Sequence, residues 1–155
     1  MAVEGYSNED WIAGGPILEG SYSPTQLFTA EDEIKTSAAL YKTGINFAVL
    51  TILAKDATGD LVQWDPTATA AVEDGALDQI GPAPQSVPVG VAAADMNTTN
   101  TNGGYNADTY GPYYVSACFN PDLLVWPAGL ASASYEAKLA ALEQAGAPFR
   151  IKRLL

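Results

Sequence analysis

Two short phrases of this sequence combine an apolar run, a tryptophan and an immediate proline stop. Residues 61–66 read Leu-Val-Gln-Trp-Asp-Pro, and residues 123–127 read Leu-Leu-Val-Trp-Pro. Proline fixes its own φ angle and lacks a backbone donor, so a strand that reaches it ends there. Each phrase therefore predicts a strand end that holds a large ring beside a rigid turn. We expect four residues of these phrases to organise packing within the domain: Trp64, Asp65, Trp126 and Pro127.

The composition is typical of one β-rich domain with irregular connections. A chain of 155 residues with 48% hydrophobic residues is long enough for one domain with a real core and too short for two. Ten prolines and fourteen glycines break it into many short segments. Charged residues make up only 16%, which is low for a globular surface. The rest of the protein surface must therefore consist of uncharged polar residues or be covered by partner proteins.

The charge distribution argues against nucleic acid as a partner. The formal net charge is −11, and no Lys or Arg occurs between Lys55 and Lys138. Such a chain repels phosphate backbones. The start of the chain carries Glu4, Glu9 and Asp10 where a signal peptide needs basic and then apolar residues. Nothing approaches the length of a membrane span, so we expect neither a membrane nor a nucleic-acid partner.

The residue types also restrict the chemistry. The absence of histidine excludes a Ser-His-Asp or Cys-His site and the usual zinc ligand sets. Cys118 is the single cysteine, so no intrachain disulfide can form, which fits assembly in a reducing cytosol. Asp56, Thr58 and Asp60 are spaced like the start of a calcium loop, but the downstream Glu of an EF-hand is missing, which favours a plain turn. We expect no cofactor and no bound metal.

Residues 1–36 are predicted to be an extended N-terminal arm that precedes a β-rich domain at 37–155. The arm is repeatedly interrupted by turn residues and carries seven acids against one base, Lys35. No period of 2 or 3.6 continues through it, so it cannot easily bury its own apolar groups. Spaced apolar anchors in such a segment favour ordering on a partner surface, often as an added strand. The anchors are Trp11, Ile12, Ile17, Leu18, Leu27 and Phe28.

Apolar, β-prone runs predict the strands of the domain. Residues 46–53 form the first, and a Lys-Asp-Ala-Thr-Gly-Asp turn leads from it into 61–64 as a hairpin. Residues 87–95 are rich in Val, Ala and Gly, which permits close backbone approach in a strand. An aromatic strand covers 111–120, and 122–126 continue beyond an Asn-Pro turn.

One helix is predicted near the C-terminus, over residues 134–145. Tyr135, Leu139 and Leu142 lie on one face at positions i, i+4 and i+7. A serine caps its start, and a Gly-Ala-Pro sequence stops it. Residues 149–152 then alternate as a final strand. The sequence thus predicts a mixed α+β, β-rich fold: a compact small β domain with one C-terminal helix and an extended N-terminal arm.

The order of these segments resembles the head decoration proteins of the phage lambda type, the trimeric cement proteins of tailed-phage capsids. The shared order is an arm, a strand, Leu-Val-Gln-Trp-Asp at 61–65 and Val-Gly-Val-Ala-Ala-Ala-Asp at 89–95. An aromatic strand, Leu-Val-Trp-Pro at 124–127, one helix and a short strand follow. The similarity covers about residue 48 to the C-terminus. The chain departs from the family pattern in its longer acidic arm and in a polar loop at 97–108.

The resemblance implies a structural virion protein without enzymatic activity. Proteins of this family bind as trimers to the outer surface of the expanded head, at local threefold sites, and hold capsid subunits against the pressure of the packaged DNA. Their N-terminal segment is mobile when free and becomes ordered against the shell, so the resemblance implies that the arm at 1–36 binds the capsid through its apolar anchors. The implied partners are therefore the major capsid protein and further copies of this chain, in a homotrimer on the virion surface assembled in the host cytoplasm. In such a homotrimer, we also expect trimer contacts from the four packing residues of the two phrases: Trp64, Asp65, Trp126 and Pro127.

A second hypothesis is a phage surface or fibre module that binds glycans. Sugar rings would stack on a platform of aromatic side chains. Aromatic clusters of this kind more often serve core and trimer packing. The candidate residues are Tyr105, Tyr110, Tyr113 and Tyr114.

A third hypothesis is an enzyme that uses two carboxylates, such as Asp65 and Asp95, as acid and base. A glycosidase needs such a pair about 5–10 Å apart in a cleft, and the sequence does not place these two. Asp65 precedes Pro66 in a turn, where Asp commonly accepts backbone hydrogen bonds. We therefore expect a turn role for Asp65 and no enzymatic activity.

Overall fold

The computed structural model describes residues 26–69, 83–99 and 109–153. It confirms a β-rich small domain with a single α-helix near the C-terminus of the described chain. Within these ranges no helix is long and apolar enough to cross a membrane. The strands are β1 (Lys35–Tyr41), β2 (Asn46–Phe47), β3 (Ile52–Lys55), β4 (Leu61–Gln63), β5 (Pro88–Ala92), β6 (Met96–Asn97), β7 (Thr109–Ser116), β8 (Cys118–Phe119) and β9 (Arg150–Ile151), and the helix is α1 (Tyr135–Ala145).

Five strands close into a barrel in the order β1–β4–β3–β5–β7. β1 runs antiparallel to β7 over its whole length and parallel to β4, which it meets at Tyr41 and Leu61. The other neighbours are antiparallel. Two small sheets lie beside the barrel: β2 pairs antiparallel with β6, and β8 pairs parallel with β9.

The barrel wall separates two hydrophobic cores, because successive side chains of a strand point to opposite faces. In β3, Leu53 belongs to one core while its neighbours Ile52 and Ala54 belong to the other. The inner core lies inside the barrel and consists of Tyr41, Leu53, Leu61, Ala92, Met96 and Tyr113. The outer core lies between the barrel wall and the layer of α1, β8 and β9, and it consists of Ile52, Ala54, Trp64, Val91, Ala117, Phe119, Leu124, Trp126, Leu142, Phe149 and Ile151.

The glycine of β5 allows the close approach that its small residues predict. A Cβ atom at Gly90 would overlap the carbonyl oxygen of Tyr114 and lie 2.7 Å from the Tyr113 ring. Real Cβ atoms do not come this close to backbone atoms, so only glycine fits here. β5 can therefore lie tightly against β7, which pairs with it at Val91 and Ala92.

The predicted single strand at 46–53 is wrong, because a turn divides it. Leu50 has a φ angle of 69°, a left-handed conformation in the turn that separates β2 from β3. The Thr51 hydroxyl donates to the Ala48 carbonyl at 2.7 Å, and the Asp95 carboxylate accepts from the Val49 amide at 2.7 Å. β2 consequently pairs with β6, whereas β3 enters the barrel.

Two other predicted strands differ from the structure: one is divided into two shorter strands, and the other is a turn. The aromatic run at 111–120 divides at Ala117 into β7 and β8. Residues 122–126 form a turn rather than a strand, and Val125 makes one isolated parallel bridge to Thr51. The turn is held by the Asn120 side chain, which accepts from the Asp122 amide at 3.1 Å.

The predicted helix begins and ends as its capping residues indicate. The Ser134 hydroxyl accepts from the Ala137 amide at 3.2 Å, which satisfies a donor of the first turn. Gly146 has a φ angle of 71° and donates to the Glu143 carbonyl, a left-handed cap that favours glycine. Leu142 is buried in the outer core. The predicted hairpin turn at 55–60 is likewise present between β3 and β4.

The predicted boundary between arm and domain, at residue 36, falls inside β1. β1 begins at Lys35 and pairs with β7 through seven register positions. Its sequence, Lys-Thr-Ser-Ala-Ala-Leu-Tyr, is poor in β-branched and aromatic residues, so local propensity does not reveal it. Residues 1–25 lie outside the described part of the chain.

Candidate interaction surfaces

Both tryptophans singled out in the sequence are buried in the outer core. Trp64 is 1% exposed and its indole N–H donates to the Ser86 carbonyl at 2.9 Å. Trp126 is 7% exposed and its indole N–H donates to the Pro121 carbonyl at 2.9 Å. Each indole ring therefore packs in the hydrophobic core while its N–H group has a hydrogen-bond acceptor. A role of either ring in a trimer stays a prediction.

The two tryptophan–proline phrases meet on the surface of the domain. A depression of about 340 Å³ is lined by residues from both of them and from the turn that follows each. A second depression of about 340 Å³ continues from Trp64 and Pro66 to α1, where Gln144 and Ala145 line it. The first depression is lined by Gln63, Trp64, Asp65, Pro66, Thr67, Pro127, Ala128 and Gly129.

Asp65 serves a turn, as the sequence predicts for an Asp before a proline. Its carboxylate accepts from the Thr67 hydroxyl at 2.7 Å and from the Thr67 amide at 2.9 Å. These hydrogen bonds lower the pKa of Asp65 from its ordinary value, because they favour the charged form. The second carboxylate of the enzyme hypothesis, Asp95, accepts from the Val49 amide. Each carboxylate therefore has a structural hydrogen bond.

The turn between β3 and β4 is built around the buried carboxylate of Asp56. One of its oxygens accepts from the Thr58 amide at 2.9 Å, the Thr58 hydroxyl at 2.6 Å and the Asp60 amide at 3.0 Å. Lys42 lies 3.6 Å from the other oxygen. Burial would raise the pKa of Asp56, but these hydrogen bonds and Lys42 outweigh it and hold the pKa below its ordinary value. In the described ranges, no group of three or more acidic or cysteine side chains is arranged to hold a metal ion.

The segment that leads into β1 packs on the domain itself. Phe28 forms an isolated antiparallel bridge with Phe119, and the Asn120 amide donates to the Leu27 carbonyl at 2.7 Å. The Phe28 ring centroid lies 5.6 Å from that of Tyr114 and 5.7 Å from that of Phe119. Residues around Phe28 thus extend the β8–β9 sheet on the edge of β8 that β9 does not use.

Leu27 and Phe28 are the two predicted capsid-binding residues that the structure describes. Both are half-buried against the outer core, so their apolar groups already have a partner within the chain. A further contact with a capsid stays a prediction for them. The four remaining anchors lie outside the described residues: Trp11, Ile12, Ile17 and Leu18.

Arg150 and Arg153, two of the bases near the C-terminus, lie beside acids or an aromatic ring of the same chain. Arg150 on β9 is 4.0 Å from Asp32 in the segment before β1. Arg153 is 3.5 Å from Asp122 and its guanidinium lies 5.6 Å from the Tyr135 ring centroid. All of these charged side chains are substantially exposed, so each ion pair stabilises the fold by at most about 1 kcal/mol.

The tyrosines proposed as a sugar platform do not share one surface. Tyr113 points into the inner core and is 8% exposed, while Tyr114 is packed between Phe28 and Phe119. Tyr110 is 68% exposed, and Tyr105 lies outside the described residues. Strand alternation separates Tyr113 from its neighbours, because the three described tyrosines belong to β7. The glycan hypothesis therefore has one exposed ring among these three.

An apolar face on β1 and β7 was not predicted from the sequence. Leu40 is 37% exposed and pairs in register with Tyr110, and exposed Ala38 pairs with exposed Pro112. Directly opposite residues of an antiparallel pair lie on the same side of the sheet. We call these four residues the β1–β7 face. The face is formed by the pairing register of β1 with β7, and the sequence did not predict a strand at β1.

Comparison with known proteins leaves the family of the chain unassigned. No protein-family model matches the sequence, and no curated protein matches it. The likeness to phage decoration proteins thus depends on the order of the sequence motifs quoted above. It enters the functional argument as a proposal.

Proposed function

We propose that the chain is a structural virion protein that cements the head of a tailed phage. It binds as a trimer to the outer surface of the expanded capsid at local threefold sites and stabilises the head against DNA pressure. The observation that carries the proposal is the anchored start of the described chain. Residues 27–29 are hydrogen-bonded to β8, since Thr29 donates to the Cys118 carbonyl at 3.0 Å and Leu27 accepts from Asn120.

The hydrogen bonds of residues 27–29 therefore fix the place on the barrel domain at which the preceding residues are attached. Residues 1–25 contain four acids, no base, and the apolar pairs Trp11–Ile12 and Ile17–Leu18. A segment of this kind can order on a partner by strand addition while its domain remains unchanged. Linking three such segments in one trimer raises the avidity above the affinity of a single one by about 10²–10⁴. A cyclic trimer also matches a threefold site in symmetry.

The two carboxylates that the enzyme hypothesis names as acid and base accept hydrogen bonds from the backbone instead. The chain has no histidine, and Asp65 and Asp95 hold turns. Buried polar side chains of the described residues all have hydrogen-bond partners. A cementing role needs only a stable domain and binding surfaces, which agrees with this arrangement.

The test is co-sedimentation of the purified protein with heads of the encoding phage that were assembled without it. We expect saturable binding to expanded heads, little binding to unexpanded heads, and a raised temperature of DNA release from decorated heads. No binding to either form of the head would contradict the proposal.

The truncation that separates arm from domain must end at residue 25, because Leu27 and Phe28 belong to the packed domain. We expect the chain 26–155 to keep its circular dichroism spectrum and melting temperature and to lose head binding. Within the arm, Trp11→Ala with Ile12→Ala should weaken binding, and the polar pair Ser7→Ala with Asn8→Ala is the matched control. Full decoration by 26–155 would show that the arm is not the binding segment.

A further inference from the structure

Residues 27–34, which we call the strap, contain more residues than their pairing requires. Phe28 bridges Phe119 on β8, and Lys35 at the start of β1 pairs with Ser116 at the end of β7. Seven positions separate Phe28 from Lys35, whereas three separate their two partners. The surplus lies in residues 30–34, which are irregular and mostly exposed. The strap therefore has enough slack to leave β8 without changing the register of β1.

Few contacts hold the strap on β8. The Thr29 amide donates to the Cys118 carbonyl at 3.0 Å, and the Asn120 amide donates to the Leu27 carbonyl at 2.7 Å. The Phe28 ring packs at the margin of the outer core and is only half-buried, like the residues on either side of it. Segments with few buried apolar contacts are the ones that open locally while the rest of a protein stays folded.

The strap passes beside a buried thiol that belongs to neither core. Cys118 is 4% exposed, yet its neighbours Ala117 and Phe119 are the residues of this stretch that enter the outer core. Successive side chains of a strand point to opposite faces, so the thiol lies on the other face of β8. This face also carries Arg150, the register partner of Cys118 on β9, whose side chain is largely exposed.

Two side chains of the strap reach this face. The Thr29 hydroxyl lies 3.5 Å from the Cys118 Sγ. The Asp32 carboxylate lies 4.0 Å from the Arg150 guanidinium. The strap is thus joined to β8 beside the thiol and to β9 across an ion pair, and the thiol lies on the face that both contacts close.

We propose that the strap is a latch that covers the Cys118 thiol when it is closed and opens while the barrel and both cores stay folded. The strap is the part of the domain to which residues 1–25 are attached. A partner that pulls on those residues therefore acts on the strap before it acts on any strand of the barrel. This inference goes beyond the cementing role, because it concerns the free chain, and its test uses no heads.

The test is alkylation of Cys118 in the full chain by iodoacetamide, an uncharged reagent, followed by mass spectrometry over a series of urea concentrations. We expect alkylation without urea to be at least about tenfold faster than the globally unfolded fraction allows. The rate should also change little with urea below the unfolding transition, because opening the strap exposes little surface. Alkylation of the urea-unfolded chain gives the rate of the uncovered thiol.

Phe28→Ala loosens the strap and should raise the alkylation rate without urea at least about tenfold. Leu139→Ala is the matched control, because Leu139 is also a half-buried side chain at the margin of the outer core and lies on α1. It should lower the urea midpoint and leave the alkylation rate without urea within about twofold of wild type.

Asp32→Asn removes the ion pair and should speed alkylation at most about fivefold, the range of an exposed ion pair. Glu31→Gln removes the same charge from the neighbouring position and should leave the rate unchanged. Equal rates for these two variants would overturn the part of Asp32 in closing the strap.

Three results would overturn the latch itself. One is an alkylation rate that follows the globally unfolded fraction at every urea concentration, since the thiol is then uncovered only by unfolding. Another is a wild-type rate equal to that of the unfolded chain, since the strap then covers nothing. The third is equal acceleration by Phe28→Ala and Leu139→Ala, which would mean that general destabilisation uncovers the thiol.

Discussion

The inner and outer cores lie on two sides of one barrel wall, yet they are packed by different means. The inner core leaves no room for a Cβ atom at Gly111: such an atom would lie 2.6 Å from the Met96 sulfur and 2.8 Å from the Tyr41 ring. The outer core is instead filled by large rings, including Trp64 and Trp126, and depressions open beside it. Added volume should therefore damage the inner core, and lost volume should damage the outer one.

The largest effect is expected from removing a ring of the outer core. Trp126→Ala should lower the free energy of unfolding by about 3–5 kcal/mol, because the buried indole leaves a cavity. Urea denaturation gives the value, and Trp126→Phe is the control that keeps a ring while losing the donor to Pro121. A loss below about 1 kcal/mol for the alanine variant would show that this ring does not support the core.

The inner core should respond to the addition of one methyl group. Gly90→Ala forces a Cβ against the Tyr114 carbonyl and the Tyr113 ring, so we expect a loss of about 3 kcal/mol, at the upper end of overpacking costs. The matched control is Gly129→Ala, where a Cβ meets nothing within 4 Å. That variant should stay within about 0.5 kcal/mol of wild type. Equal melting temperatures for the two alanine variants would contradict the tight packing of β5 on β7.

A third variant tests whether the two cores depend on each other. Asp56→Asn weakens the turn between β3 and β4, strands that carry residues into both cores, and should cost about 1–2 kcal/mol at neutral pH. Tryptophan fluorescence of the outer core and far-ultraviolet circular dichroism should shift together, because one transition unfolds both. Separate transitions would show that the cores unfold independently.

The pH dependence of the same variant has a defined sign. The pKa of Asp56 lies below its ordinary 3.8 in the folded chain, so its stabilisation is present above that pH and is lost as the pH falls through the folded pKa. The difference between wild type and Asp56→Asn should accordingly shrink in acid. Asp60→Asn removes a charge from the same turn and is the matched control.

Local signals predicted the outer core better than the inner one. The apolar runs that end at Trp64 and Trp126 and the caps of α1 are signals carried by residues near in sequence, such as Ser134 at the first turn of the helix. The inner core needs Tyr41 from β1, a strand whose small and polar residues carry little β-propensity. The strand exists because it pairs with β7, whose residues lie 68 to 81 positions later, and no local pattern contains that pairing.

The candidate interaction surfaces also depend on contacts between residues that are far apart in sequence. Leu27 and Phe28 were predicted to be anchors that bind the capsid because the sequence around them has no period. Long-range pairing with β8 gives them partners within the chain as well, and their contact with a capsid stays a prediction. The β1–β7 face likewise depends on a register that places Leu40 opposite Tyr110. The partner of Trp64, the Ser86 carbonyl, comes from a short 3-10 turn at Pro84–Ser86 that the sequence analysis did not identify.

The smallest effect compares one tyrosine hydroxyl in the inner core with one beside the outer core. Tyr41 donates to the Pro112 carbonyl at 3.0 Å in the inner core, and Tyr135 donates to the Ile151 carbonyl at 3.3 Å beside the outer one. Tyr41→Phe should cost about 1 kcal/mol at neutral pH, and Tyr135→Phe, its matched control, should cost less because its bond is longer and half-exposed.

In alkali the stability difference between wild type and Tyr41→Phe should shrink, because only wild type can lose the Tyr41 proton. Burial, and then the neighbouring Tyr113, raise the pKa of Tyr41 from 10.0 to about 12. The folded chain therefore holds this proton more tightly than the unfolded one, so its stabilisation is complete below pH 10 and is lost as the pH rises towards 12. Urea midpoints measured above pH 10 should fall more steeply for wild type than for Tyr41→Phe. If the urea midpoints of the two proteins fall in parallel above pH 10, the Tyr41 hydroxyl is accessible to water. The inner core would then be less tightly packed than the close contacts at Gly90 and Gly111 indicate.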